Sequence, residues 1–166
     1  MAEEKKWFVF YTKSRQEKKV RDLLTKRSFE VFLPLTKVLR QWSDRKKKVE
    51  VPLFNSYVFV KTTEHQIVEV LALPGVAWTI RHNDRPAILH EKEYNLIKRL
   101  LETGLTLEVV SVPDLEEGST VQVMDGPLKG AVGHVLSKSP AKFMVVLEAI
   151  GQAMRVEIDP KLLKKL

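Results

Sequence analysis

The sequence predicts an α+β protein of two domains, in which an antiparallel sheet with packed helices is followed by a small β-barrel. Strand-like segments alternate with three amphipathic helical segments up to about residue 112. A short stretch of proline, acidic residues and glycine comes next and is typical of a linker. Valine-rich strands follow, together with five of the seven glycines. We therefore expect domains at residues 1–112 and 119–166, joined by a linker at 113–118.

The first domain is predicted to begin with a strand and a helix. Aromatic and β-branched residues dominate "WFVFYTK" at residues 7–13, which favours a strand. Ser14 stands three residues before Glu17, a spacing that predicts a capping box at the start of a helix. Apolar residues at helical spacing follow, so we expect one face of this helix to pack on the sheet.

Two hairpins and two further helices are predicted in the rest of this domain. The run "SDRKKK" at Ser43–Lys48 separates two strand-like segments, which predicts a hairpin with a basic tip. A helix is expected over about Glu64–Leu73, and a second hairpin is expected to turn at Asn83 and Asp84. A third helix is predicted over about Glu91–Thr103, with Tyr94, Ile97, Leu100 and Leu101 facing inward.

The glycines of the second domain predict a strongly bent barrel of short strands. Gly126, Gly130 and Gly133 lie between valine-rich segments, where glycine permits tight turns, bulges and corners. The stretch "DGPLKG" lies between strands and opens no helix, so it lacks the geometry of a phosphate-binding loop. A structural role for these glycines follows.

Composition and charge limit the classes of function. The chain contains no cysteine, which excludes disulfides and thiolate sites and favours a reducing compartment. Its apolar stretches are too short for a membrane span, so we expect a cytoplasmic protein without membrane contact. Residues 1–63 hold 16 Lys and Arg against 7 Asp and Glu, which predicts a polyanionic neighbour such as nucleic acid. A solvated surface is the alternative explanation of this charge.

Catalysis is not expected. The four histidines lie far apart without metal-ligand spacing, and no nucleophile motif, P-loop or dinucleotide fingerprint occurs. We expect no metal and no cofactor.

Several segments together resemble a known family. "VQVMDGPLKGAVGHV" at 121–135 resembles a KOW motif, and "WFVFYTKSRQEKKV", "VPLFNSYVFVK" and "LPGVAW" resemble the N-terminal (NGN) domain of the NusG transcription factors. The resemblance runs from Trp7 to Leu166 and implies a ferredoxin-like NGN domain followed by an SH3-like KOW barrel. "LRQWSDRKKKVEVPLF" and "IGQAMRVEI" are similar to the specialised UpxY-type paralogues, antiterminators of polysaccharide-synthesis operons.

The resemblance implies an elongation or antitermination factor that binds RNA polymerase and suppresses pausing or termination. In the family, an apolar pocket of the N-terminal domain receives the coiled-coil tip of the polymerase clamp. Matching segments carry this role to five residues, namely Val9, Tyr11, Phe54, Tyr57 and Phe59. The alternative is that alternate residues of these strands face the core. A tyrosine in a small core would need a partner for its hydroxyl, so the two tyrosines are the better surface candidates.

The resemblance also implies contact with the exposed non-template DNA strand. Cations at the helix start and the hairpin tip would contact phosphates, and an aromatic ring could stack on an unpaired base. The residues concerned are Lys13, Arg15, Lys18, Lys19, Trp42, Arg45, Lys46, Lys47 and Lys48. The alternative is a solvated helix face with a tryptophan at a strand edge.

The KOW domain of the general factor meets Rho or ribosomal protein S10. Here Phe143 and Ile150 are the candidates for S10 contact, while Gln152 stands where the general factor tends to carry arginine, which argues against Rho. Asn55 and Ser56 replace the usual proline-glycine of the general factor, which favours a paralogue. We expect a monomer. A KOW-containing RNA-binding protein associated with the ribosome remains the alternative function.

Overall fold

The computed structural model describes residues 3–111, 118–136, 139–147 and 150–166. Its strands and helices confirm the predicted α+β class. The chain divides into two compact units, of which the first ends at Glu91 and the second begins at Lys92. The predicted linker lies outside the described residues except for Gly118, and the domain boundaries at 112 and 119 stay a prediction.

The first unit is built on a central antiparallel sheet. The strands of the whole unit are β1 (Lys6–Thr12), β2 (Glu30–Phe32), β3 (Leu35–Gln41), β4 (Lys46–Pro52), β5 (Tyr57–Thr62), β6 (Val76–Thr79), β7 (Arg81–His82), β8 (Arg85–Pro86) and β9 (Ile88–Leu89). The central sheet has the order β2-β5-β1-β6, and β9 also pairs with β1. β3 with β4 and β7 with β8 form two separate hairpins. The two helices are α1 (Glu17–Lys26) and α2 (Ile67–Leu71).

The hydrophobic core of the first unit joins one face of this sheet to the two helices. Phe8 and Phe10 of β1 are buried together with apolar residues of β5, and the helices contribute Val20, Leu24, Ile67 and Val70 to the same cluster. Burying such a side chain contributes about 1.5–3 kcal/mol. Because successive strand residues point to opposite faces, Trp7, Val9 and Tyr11 lie on the other face of β1.

The start of α1 differs from the prediction. The capping residue is Gln16, without a side-chain capping bond, so the predicted Ser14–Glu17 capping box is wrong. The chain turns before the helix, with the Gln16 amide donating to the Lys13 carbonyl over 3.1 Å and Arg15 at a φ of 61°. This turn leaves Ser14 outside the helix. The Glu17 carboxylate instead accepts a hydrogen bond from the Ser56 amide.

The two predicted hairpins and the second helix are present with shifted bounds. Asn83 and Asp84 have φ values of 52° and 63°, as a tight hairpin turn requires. The basic hairpin turns between Trp42 and Arg45, whose amide and carbonyl lie 2.7 Å apart. Lys46–Lys48 belong to β4 rather than to the turn. A 3-10 turn at Glu64–Gln66 precedes α2 and shortens the predicted helix.

The second unit combines a helix with a six-stranded antiparallel sheet. Its elements are α3 (Glu91–Glu102), β10 (Leu107–Ser111), β11 (Gly118–Val123), β12 (Val132–Leu136), β13 (Ser139–Leu147), β14 (Gln152–Glu157) and β15 (Leu163–Lys165). The sheet order is β10-β14-β13-β12-β11-β15. Ile97 and Leu100 of α3 are buried as predicted. The Arg99 guanidinium donates to the carbonyls of Pro127 and Lys129 over 3.1 and 2.7 Å, which ties the helix to the turn before β12.

The glycines of this sheet serve turns and close approach. Gly126 and Gly130 have φ values of 88° and 90°, in the region that favours glycine. Gly133 is buried, and a Cβ placed there would lie 2.7 Å from Cζ of Phe143. Gly126, Gly130 and Gly133 therefore have structural roles, as the sequence predicts. None of the described helices is long and apolar enough to cross a membrane.

Candidate functional site

Three aromatic side chains form a surface patch on the central sheet of the first unit. Tyr11 of β1 lies opposite Tyr57 of β5 on one side and Trp78 of β6 on the other. Its ring centroid is 5.5 Å from that of Tyr57 and 6.1 Å from that of Trp78, both in edge-to-face orientation. Tyr11 is 36% exposed and Trp78 is 61% exposed, while Tyr57 is half-buried. We call these three residues the aromatic patch.

Burial changes the acidity of one patch residue. It raises the pKa of the Tyr57 phenol above 10.0, and the nearby Tyr11 adds to the shift. Tyr57 therefore keeps its proton to a higher pH than an ordinary tyrosine does, and a protonated phenol can both donate and accept a hydrogen bond.

The structure divides the five residues predicted for polymerase contact into two groups. Tyr11 and Tyr57 reach the surface, whereas Val9, Phe54 and Phe59 are fully buried. Phe54 and Phe59 pack edge to face at 6.3 Å between ring centroids. These three side chains belong to the core, as the alternative explanation anticipated. The reason is that both faces of β1 and β5 are covered over most of their length.

Trp78 was missed by sequence reasoning. Its four-residue strand reads buried, exposed, exposed, buried, so no alternation marks the tryptophan as a surface residue. Pairing with β1 positions it, and Val9 anchors this pairing by accepting hydrogen bonds from the Thr79 hydroxyl at 3.0 Å and the Ile80 amide at 2.9 Å.

The loop between β4 and β5 is fixed at the edge of the patch. Ser56 has a φ of 68°, a conformation more usual for glycine. Its carbonyl accepts from the Thr12 amide at 2.8 Å, and its amide donates to the Glu17 carboxylate at 3.0 Å. The loop is thus joined to the end of β1 and to the start of α1.

The basic hairpin presents cations on both of its faces. Arg45, Lys46, Lys47 and Lys48 are all exposed, as predicted. Strand pairing sets Arg40 opposite Lys47, and the Lys47 ammonium lies 5.7 Å from the centre of the Trp42 ring. Because side chains alternate along a strand, Lys46 and Lys48 point to the other face. We call Arg40, Trp42 and Lys47 the basic track.

The cations at the start of α1 are also exposed, and one of them reaches the hairpin. Lys13, Arg15, Lys18 and Lys19 all face solvent. The Lys18 ammonium donates to the Glu50 carbonyl of β4 over 2.7 Å. Between α1 and β4 lies a cleft of about 390 Å³, whose lining includes Arg15, Lys18 and Arg40. The cations at the start of α1 therefore lie beside Arg40 and Glu50 of the hairpin, and not beside the predicted tip residues Arg45–Lys48.

Comparison with known proteins assigns the family. A family model described as transcription termination factor nusG matches residues 5–98, more than half of the chain. The chain belongs to the NusG family. The aromatic patch, the basic track and the cleft all lie inside the matched residues. The match confirms the resemblance to the NusG family that the sequence shows.

NusG proteins of several bacteria are similar to this chain over nearly its whole length. A transcription termination/antitermination protein NusG of Streptococcus pyogenes serotype M3 is 29% identical over 94% of this chain and 93% of its own length. The NusG protein of Staphylococcus epidermidis is 27% identical over 100% of both chains. A solved structure of Thermotoga maritima NusG matches with a TM-score of 0.56 and 21% identity, over 98% of this chain and 97% of that one, and supports the fold.

The residues predicted for KOW-partner contact lie in the core of the C-terminal sheet. Phe143 is completely buried and Ile150 is buried as well. A partner could touch Phe143 only if the sheet opened, so that residue does not form a surface here. Gln152 is half-buried on β14.

One acidic residue of this sheet has a shifted pKa. Glu108 of β10 pairs with the Arg155 guanidinium across to β14, and its carboxylate lies 3.7 Å from the Lys142 ammonium. The hydrogen bond and charge of Arg155 hold the pKa of Glu108 below its usual 4.5. Within the described ranges, no group of three or more acidic, histidine or cysteine side chains is arranged to hold a metal ion.

Proposed function

We propose that this protein is a transcription elongation and antitermination factor that binds RNA polymerase through the aromatic patch. The observation that carries the proposal is the set of Tyr11, Tyr57 and Trp78 on adjacent strands, in which Tyr11 and Trp78 are exposed and Tyr57 is half-buried. Tyrosine and tryptophan are enriched among the residues that dominate protein interfaces. The coiled-coil tip of the polymerase clamp is the expected partner, and no catalytic step is involved.

The patch is organised in a way that favours binding. Edge-to-face contacts already hold the rings in place, so little side-chain freedom is lost when a partner docks. The Tyr57 hydroxyl offers a partner both a hydrogen-bond donor and an acceptor.

The basic track supplies the second part of the proposed function. The segment from Pro52 to Tyr57 leads from β4 to the patch, so a polymerase bound at the patch brings the hairpin to the same region of the complex. Arg40 and Lys47 would contact phosphates of the non-template strand, and Trp42 would stack on an unpaired base.

We further propose that the protein acts at specific operons, as UpxY-type paralogues do. Asn55 and Ser56 support this, because they stand where the general factor usually has proline and glycine. Chromatin mapping of the tagged protein tests the idea. Enrichment at one or a few loci is expected, and occupancy across most transcribed genes would contradict it. Phe143 and Ile150 are both buried, so a contact with ribosomal protein S10 would have to use exposed residues around them.

The test of polymerase binding is a substitution within the patch. Tyr11→Ala combined with Trp78→Ala should weaken binding to bacterial core RNA polymerase by about 30-fold or more, since one interface anchor is often worth about 2 kcal/mol. Leu39→Ala is the matched control, because it removes another exposed apolar side chain outside the patch. Circular dichroism verifies that all variants are folded.

Two outcomes would contradict the proposal. A folded double variant that competes with NusG for polymerase as well as the unaltered protein does would exclude the patch as the binding surface. Capture of intact ribosomal subunits without polymerase from a bacterial lysate would favour the ribosome-associated alternative.

A further inference from the structure

We propose that a second cavity of the first unit binds a free nucleotide, a small molecule that joins a phosphate group to a base. The cavity has a volume of about 630 Å³ and is lined by residues of β5 and α2 and by the segment that joins α1 to β2. Sites for small molecules enclose roughly 300–1,000 Å³. The cavity therefore has room for one nucleotide.

The cavity is remote from the aromatic patch. In the pairing of β1 with β5, Lys6 lies opposite Thr62 at one end, and Tyr11 lies opposite Tyr57 at the other. Lys61 and Thr62 line the cavity. The rise of about 3.4 Å per residue separates the two ends of β1 by about 17 Å. The cavity also shares no lining residue with the cleft between α1 and β4, so it is a site of its own.

An oriented side-chain amide lies at the wall of the cavity. The Gln66 Oε1 accepts hydrogen bonds from the Thr62 hydroxyl at 2.6 Å and from the Thr63 hydroxyl at 3.1 Å. These bonds occupy the oxygen and fix the carboxamide, whose Nε2 carries two N–H donors. The Nε2 makes no hydrogen bond within the part of the chain that the structure describes. Gln66 therefore offers the cavity a fixed donor.

Two cations of the cavity are available to an anion. Lys5 and Arg27 are exposed, and neither forms an ion pair among the described residues. The Arg27 amide donates to the Leu24 carbonyl over 3.1 Å, which fixes the backbone that carries the guanidinium. A guanidinium binds phosphate through two parallel hydrogen bonds, and an ammonium adds a point charge. A phosphate group is the anion that these donors suit best.

Other residues of the cavity suit a base rather than a second phosphate. Glu30 and Glu69 are exposed, line the cavity and form no ion pair in the described ranges. A carboxylate repels phosphate but accepts a hydrogen bond from the amino group of a base, as it does from N4 of cytosine. Phe29 is half-buried at the same cavity, and aromatic rings stack on bases. A ligand with a phosphate and an amino-bearing base satisfies both groups of residues.

The experiment measures binding of AMP, GMP and CMP to the full-length protein by isothermal titration calorimetry. At least one of them should bind about tenfold or more tightly than ribose 5-phosphate, which lacks the base, and than its own nucleoside, which lacks the phosphate. Arg27→Gln should weaken that binding by about tenfold or more, because it removes a charge-assisted hydrogen bond. Lys26→Gln is the matched control, since it removes an exposed cation that does not line the cavity, and it should bind normally.

A second measurement locates the ligand. The nucleotide should shift the side-chain amide signals of Gln66 in the ¹⁵N-labelled protein, and the Arg40→Ala/Lys47→Ala variant should retain nucleotide binding. No binding of the three nucleotides, equal binding of ribose 5-phosphate, or equal weakening by Arg27→Gln and Lys26→Gln would each overturn the inference. Loss of nucleotide binding in Arg40→Ala/Lys47→Ala but not in Arg27→Gln would also overturn it, because the ligand would then lie on the basic track. Arg27→Gln should bind RNA polymerase as the unaltered protein does, so this test is independent of the proposed function.

Discussion

Neutralising one face of the basic hairpin tests whether its cations contact single-stranded DNA. In the double variant Arg40→Ala/Lys47→Ala, both removed charges come from the face that carries Trp42. The double variant Lys46→Ala/Lys48→Ala removes the same net charge from the opposite face. Both changes lie on an exposed hairpin, where substitutions usually alter stability by no more than about 0.5 kcal/mol.

The expected magnitude follows from counterion release. Each phosphate contact with a single strand contributes about 0.7 to the slope of log affinity against log salt. Loss of two contacts should therefore reduce the slope by about 1.4, which changes the ratio of affinities between about 50 and about 200 mM salt by roughly sevenfold. The Lys46→Ala/Lys48→Ala variant should keep nearly the original slope, because its side chains point away from the track.

The assay is fluorescence anisotropy of an all-thymidine strand titrated with each variant at several salt concentrations. Trp42→Ala serves as an uncharged comparison that should weaken binding by about 1–3 kcal/mol without changing the slope. Equal slopes for the two charge variants would refute the assignment to one face. A slope unchanged in both would mean that the hairpin faces solvent, and contact would have to rest on Lys13, Arg15, Lys18 and Lys19.

Two further predictions concern the glycine motif and the patch. Gly133→Ala should destabilise the C-terminal sheet by about 1–3 kcal/mol in thermal or denaturant unfolding, because the added methyl group would meet the Met144 carbonyl and the Phe143 ring. Val132→Ala, at an exposed neighbour, should have little effect. Equal stability of the two variants would contradict this packing. The raised pKa of Tyr57 implies stability that is fully present below pH 10.0 and is lost as pH rises toward the folded-state pKa. Ultraviolet titration should show one tyrosinate step above 10.0 that Tyr57→Phe removes, and its persistence in that variant would show the assignment to be wrong.

Local patterns in the sequence were sufficient for the main elements. The α+β class, the turn at Asn83 and Asp84 and the buried face of α3 were predicted correctly, since strand and helix periodicity and turn chemistry depend on neighbouring residues. The predicted Ser14–Glu17 capping box is absent, because Glu17 makes a long-range contact instead. Glu17 binds the Ser56 amide, 39 residues away, and no local pattern announces such a contact.

The site was predictable only in part. Tyr11, Tyr57 and the exposed cations follow from residue type and from the family resemblance. Burial of Val9, Phe54, Phe59 and Phe143 does not, because it depends on which strands and loops cover each face. The sequence did not predict that β10 and β15 belong to the C-terminal sheet, because their pairing partners β14 and β11 lie far away in the sequence.

The sequence by itself determined the class of the fold, the excess of cations in the first 63 residues and membership of the NusG family, all of which depend on composition and local pattern. The tertiary structure alone decided which side chains share a surface. It placed Trp78 beside Tyr11, separated Lys47 from Lys46 and Lys48, and brought Arg40 to the cleft beside α1. The physical reason is that strand register and the packing of α1 against β2 and β5 arise from contacts between distant segments, which no short stretch of sequence contains.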